Sequence, residues 1–161
     1  MATASDELSK HLSAAMALEQ KGIELFSRYA CEAENTYGRL LFKRLAEDEE
    51  QHLKWLTDLR QRIHTGSLHG SLEVLKPIDH RQILSPASRK PEEITRGYFQ
   101  ALSYAVDVEE KSFLIYKELE HLATNAQAKQ IFTQLARFEQ EHLELVKGEI
   151  DFALKNPGVV S

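Results

Sequence analysis

Cysteine is nearly absent: Cys31 is the only one, so the chain has no disulfide framework, no Cys-x-x-Cys site and no ligand set for an iron–sulfur cluster. The lone thiol is expected to be a buried spectator. No apolar run approaches the roughly 20 residues that span a bilayer. The stretch Met1 to Lys10 is polar and acidic where a signal peptide would be basic and then apolar. A cytoplasmic protein with no membrane partner is expected. Lys/Arg blocks interleaved with aromatics are also missing, and the net charge is -5, which argues against nucleic acid as a partner. Glycine and proline are scarce, with 7 and 4 residues, so few points interrupt regular structure.

What remains is dominated by Ala, Leu, Glu, Gln and Lys, all good helix formers. A chain of 161 residues that is 42% hydrophobic can bury one continuous core, and a single all-α domain over 1–161 is expected. Apolar spacing and punctuation predict helices from Asp6 to Glu34 and from Tyr37 to His64, with Asn35 and Thr36 as break and cap. Residues 65–91 carry Gly66, Gly70, Pro77 and Pro86 and read as a crossover connection. Pro91, Glu92 and Glu93 read as the start of a third helix that runs to Ala123, because Pro and acidic residues suit a helix N-terminus. Thr124 and Asn125 mark a turn before a fourth helix to Lys155, with Asn156-Pro157-Gly158 as its stop and a frayed tail beyond.

Sliding the chain on itself by ninety residues, without a gap, superimposes Leu12 on Leu102, Ala15 on Ala105, Glu19 on Glu109, Asn35 on Asn125, Phe42 on Phe132, Leu45 on Leu135, Glu49 on Glu139 and His52 on His142. Helical composition alone does not give such a register. It implies a helical hairpin present twice, roughly 6–64 and 92–155, whose copies bury their apolar faces against each other as an antiparallel four-helix bundle.

Polar residues kept on those faces meet their own copies. The second helix presents Phe42, Leu45, Glu49, His52 and Leu56 at alternating steps of three and four, and the fourth presents Phe132, Leu135, Glu139, His142 and Val146. The first and third helices add Glu19 and Glu109 to matching stripes. Four carboxylates in one core cannot all stay ionised uncompensated, and no Lys or Arg occupies these stripes. Two divalent cations would balance Glu19, Glu49, Glu109 and Glu139, with His52 and His142 as neutral nitrogen donors. Oxygen-rich ligation with one imidazole per metal suits iron, with manganese or zinc as substitutes, and it matches the carboxylate-bundle pattern of one Glu from each of two helices and Glu-x-x-His from the others. Glu49 and Glu139 are expected to bridge, with Glu19 and Glu109 terminal.

A third Glu-x-x-His, Glu118 with His121, is a decoy: at about 100° per residue it lies on the opposite side of the third helix from Glu109, and it has no copy in the first half. Gly22 and Ser112, one turn beyond Glu19 and Glu109, are expected to leave room for an oxidant. Tyr116 shares its repeat position with Phe26; aromatic packing is its first reading, and donation of a hydrogen bond or an electron, a catalytic role, is its second. Trp55 reads as packing, Tyr29 and Tyr104 as candidate hydrogen-bond donors to the ligands, and His11, His64, His69 and His80 as surface residues.

The stretches ALEQKGIELF, LFKRLAEDEEQHLKWL, YAVDVEEKSFLIY and IFTQLARFEQEHLELV together resemble the rubrerythrin-like branch of the ferritin-like superfamily. The resemblance implies a ferritin-like bundle, two iron ions held by the same six residues, and reduction of peroxide or dioxygen or oxidation of ferrous iron. It also implies a homodimer. Ser112 stands where rubrerythrins carry a further metal-binding Glu, and a C-terminal rubredoxin domain is absent, so a separate electron donor such as a rubredoxin-like protein is expected. Iron sequestration with ferroxidase chemistry is the alternative reading. A monooxygenase resembling demethoxyubiquinone hydroxylase is the third.

Overall fold

The computed structural model describes residues 1–69, 74–80, 84 and 89–155. Four long helices make up the fold: α1 (Ala4–Glu32), α2 (Thr36–Thr65), α3 (Arg96–Leu122) and α4 (Ala126–Leu154). The protein is an all-α bundle of the ferritin-like kind. Each helix starts where a side-chain oxygen can satisfy free backbone donors. Thr3 and Asp6 form a reciprocal capping box for α1, and Asn35 Oδ1 accepts from Gly38 N at 2.6 Å. Its repeat partner Asn125 accepts from Gln127 N and Ala128 N at 2.9 and 3.0 Å. Gly66 ends α2 with φ 68°, a left-handed conformation that only glycine adopts without strain.

The third helix begins later than the sequence pattern predicts. Pro91–Glu93 form a separate 3-10 turn, and Ile94 is extended, because Thr95 caps α3 by accepting from Tyr98 N at 3.1 Å. The predicted stop at Asn156-Pro157-Gly158 lies outside the described residues.

The core falls into two apolar clusters. One holds Phe26, Phe42, Leu45, Tyr98, Leu102 and Val146; the other holds Leu12, Leu56, Leu59, Tyr116, Phe132 and Leu135. Every helix starts in one cluster and finishes in the other, and between them each passes through its inward Glu or Glu-x-x-His. The order of clusters makes α1 antiparallel to α2 and α3 antiparallel to α4. It also leaves the end of α2 and the start of α3 at opposite ends of the bundle, so the connection must travel the bundle's length. That accounts for its length.

Helix α1 packs closely on α2 and on α3, and α3 packs on α4, while α2 and α4 approach each other at few places. The side chains of two Glu-x-x-His motifs need that extra separation. The described crossover residues bridge this wider seam. Leu75 N donates to Gln134 Oε1 of α4 at 2.8 Å, His80 Nε2 lies 2.8 Å from Asp48 Oδ1 of α2, and Arg89 Nε lies 3.1 Å from Glu149 Oε2.

Candidate metal centre

The helical spacing carries Glu19, Glu49, His52, Glu109, Glu139 and His142 to one level between the two apolar clusters. All six are buried. They form two overlapping groups whose ligand atoms lie within 4.8 Å of one another: Glu19, Glu49, His52 and Glu139 in one, and Glu49, Glu109, Glu139 and His142 in the other. Glu49 and Glu139 belong to both. His52 Nδ1 lies 3.1 Å from Glu139 Oε1, 3.5 Å from Glu49 Oε2 and 3.7 Å from Glu19 Oε2. His142 Nδ1 lies 3.1 Å from Glu49 Oε1, 3.3 Å from Glu139 Oε2 and 3.5 Å from Glu109 Oε2.

Each group has an atom set that a cation would use. Glu19 Oε2, Glu49 Oε1, both oxygens of Glu109, Glu139 Oε2 and His142 Nδ1 are buried without a hydrogen-bond partner. Buried polar atoms are almost always paired, so a cluster of orphans aimed at one volume marks a place for a ligand. Four carboxylates with two imidazoles fit a pair of divalent ions in charge and in donor chemistry.

The metal-free electrostatics tell the same story. Burial, with the neighbouring Glu49, raises the Glu19 and Glu109 carboxyls well above the usual range. Burial acts the same way on Glu139, yet His52 and His142 draw it well below. Burial disfavours the charged form of both imidazoles, but Glu139 beside His52 and Glu109 beside His142 raise them well above an ordinary histidine. The six groups therefore titrate as one coupled set, in which the carboxyls of Glu19 and Glu109 are held up and that of Glu139 is held down.

Several sequence-based expectations change. Asp48, which sequence reasoning did not single out, is buried and accepts from His142 Nε2 at 2.9 Å and from His80 Nε2 at 2.8 Å. One signal was present in the sequence: its repeat partner is Phe138, so an acidic residue occupies a position that is apolar in the other copy. His80 is buried rather than at the surface, because the crossover returns along the α2–α4 seam past that carboxylate. Neither Tyr29 nor Tyr104 reaches the ligands. Tyr29 packs on Phe42 at 5.1 Å between ring centres, and Tyr104 is exposed. The hydroxyl that does reach is Tyr116, which donates to Glu19 Oε1. Cys31 is exposed, since it falls on the outer face of the last turn of α1. A Cβ on Gly22 would sit 3.2 Å from Glu49 Cγ, so the Glu49 side chain packs directly against Gly22. Glu118 and His121 are exposed on the far face of α3, as their helical phase requires.

The rubrerythrin family model matches residues 10–94, more than half of the chain and all but the first turns of α1, the whole of α2 and the crossover. The chain belongs to the rubrerythrin family. No curated protein and no solved structure matches it. The rubrerythrin match contains Glu19, Glu49 and His52 directly, and the ninety-residue repeat supplies their copies on α3 and α4. Among the described residues, no helix is long and apolar enough to cross a membrane.

Proposed function

We propose that this rubrerythrin-family chain is a non-haem di-iron carboxylate protein that reduces peroxide or dioxygen with electrons from a separate donor. The observation that carries the reading is the pair of buried groups sharing Glu49 and Glu139, with their unpartnered atoms converging. Glu19 and His52 would complete one metal's ligand set, and Glu109 and His142 the other's, with Glu49 and Glu139 common to both. Two ferrous ions held there would supply two electrons and Lewis acidity to an O–O bond.

The surrounding residues suit that work. The two apolar clusters, with Phe26, Phe42 and Phe132 fully buried, exclude bulk water from both ends of the site. Tyr116 holds a proton beside the site: burial and the adjacent Glu19 carboxylate raise its hydroxyl well above an ordinary phenol, so it stays protonated and positions Glu19. His142 is oriented through Asp48, which leaves Nδ1 as the nitrogen facing the carboxylates.

Elemental analysis and optical spectra of protein purified under iron-replete conditions test the metal. Two irons per chain are expected in the native protein and none in a Glu49→Ala/Glu139→Ala variant. Unchanged metal content in that variant sinks the assignment of the site. Peroxide consumption by the iron-loaded protein with a reductant tests the activity, and turnover no faster than free iron sinks it.

A further inference from the structure

The two half-sites contain the same ligand types and are built differently around them. On the Glu109 side, neither carboxylate oxygen has a hydrogen-bond partner. On the Glu19 side, Tyr116 donates to Oε1, and its repeat counterpart Phe26 has no hydroxyl to offer Glu109. The imidazoles differ in the same sense. His142 donates from Nε2 to Asp48 Oδ2, and Asp48 is held in turn by His80. At the repeat position of Asp48 stands Phe138, which offers His52 no carboxylate. The His52 ring packs against Trp55 and Phe138, at 5.7 and 5.8 Å between ring centres.

Each difference bears on metal affinity. A histidine whose Nε2–H is fixed by a carboxylate keeps its Nδ1 lone pair directed at the metal, whereas an unrestrained neutral imidazole spends part of its time with the proton on the ligating nitrogen. A carboxylate with both oxygens free can chelate. One that accepts a tyrosine hydroxyl has already committed an oxygen, and a metal must compete for it. Both contrasts point one way. From them we infer that the two positions fill in order, with the Glu109–His142 half-site taking the first divalent ion and the Glu19–His52 half-site the second, and that Asp48 with His80 and Tyr116 are the positioning residues that set this order. The inference rests on the six-residue site proposed above.

The test is an anaerobic titration of the metal-free full-length chain with manganese(II), followed by calorimetry and by electron paramagnetic resonance. Two steps of one ion each are expected, with the signal of an isolated ion at one equivalent and that of a coupled pair only at two. Asp48→Ala should weaken the first step by about 10–100-fold, the usual consequence of losing a ligand's outer hydrogen-bond partner, and leave the second nearly unchanged. Asp48→Asn, which keeps an oxygen acceptor for His142, should recover most of that loss, and His80→Ala should weaken the first step by less. Tyr116→Phe should do the opposite, tightening the second step and sparing the first. It decides the matter even if the Asp48 variants fail to fold. A coupled pair at one equivalent, Asp48→Ala acting on the second step, Asp48→Asn no better than Asp48→Ala, or Tyr116→Phe leaving the second step unchanged would each overturn the order. Those results leave the di-iron reading standing. Absence of any manganese binding overturns both.

Discussion

Helices α2 and α4 carry the same Glu-x-x-His at the same level of the bundle, yet their surroundings differ. Behind His142 stand Asp48 and, from the crossover, His80. Behind His52 stand Trp55 and Phe138, two aromatic faces without a charge. Below Glu109 lies an apolar Phe26 equivalent position filled by a tyrosine that turns its hydroxyl across to Glu19 instead. The candidate ligand residues are alike in the two copies, while the positions around them are not. A metal pair fixes charge, distance and donor type at its ligands, whereas the residues behind them are free to tune each position separately. The crossover sharpens the contrast because it exists once, and whatever it contributes can serve only one copy.

The strongest way to probe the contrast is to remove one carboxylate from the metal-free core. Glu139→Gln takes away the carboxylate that lies beside both imidazoles and is held down by them, and leaving buried charge unpaired costs about 3–5 kcal/mol. Glu109→Gln replaces a carboxyl that burial raises well above the usual range and that lies beside one imidazole only, so it should cost less. Urea unfolding of the two metal-free variants measures the difference, and equal losses would contradict the charge pattern described above.

The same pattern sets a pH dependence. Glu19 and Glu109 have folded pKa values raised above their unfolded ones, as do His52 and His142, so all four favour the folded state at low pH and lose that contribution as pH rises. Glu139, with a depressed value, works the other way and loses its contribution as pH falls below the ordinary carboxylate range. Metal-free protein should therefore melt at higher temperature near pH 6 than near pH 8. Metal binding, which must displace the stored protons, should tighten over the same interval. Melting scans with and without metal check both signs, and parallel trends would refute the proton-for-metal exchange.

A smaller effect separates Gly22 from its repeat partner Ser112. Gly22→Ala forces a methyl against Glu49 Cγ, an overpacking cost of about 1–3 kcal/mol, offset in part by roughly 1 kcal/mol of better helix propensity. Because Glu49 is shared, both metal positions should weaken. Ser112→Ala adds no bulk and should leave metal titrations unchanged. Least affected should be Glu118→Ala/His121→Ala on the outer face of α3, with metal content unaltered and stability within about 0.5 kcal/mol of the parent.

The six buried residues of the candidate centre were legible as a cluster because two independent signals agreed on them: helical phase put them on buried stripes, and the ninety-residue repeat put each on its copy. His80 and Asp48 were not legible in that way. Asp48 sits beside the stripe rather than on it, and its burial depends on a crossover segment that no periodicity describes. Tyr116 was assigned to a core position correctly, but which carboxylate its hydroxyl meets is settled by how α3 lies across from α1. Tyr29 and Tyr104 failed as ligand partners because sharing a helix with Glu19 or Glu109 does not bring a ring to their level or their face.

By itself the sequence determined the four helices, their caps at Asn35 and Asn125, the inward face of each and the six residues that those faces carry, because helix phase and repeat register are properties of local order along the chain. The family match agrees with that reading over residues 10–94. Only the tertiary structure decided how alike the two halves of the centre are. That depends on which side chains meet across α1 and α3 and on where a single crossover passes the α2–α4 seam, and such contacts join residues separated by 32 to 97 positions that no local pattern relates.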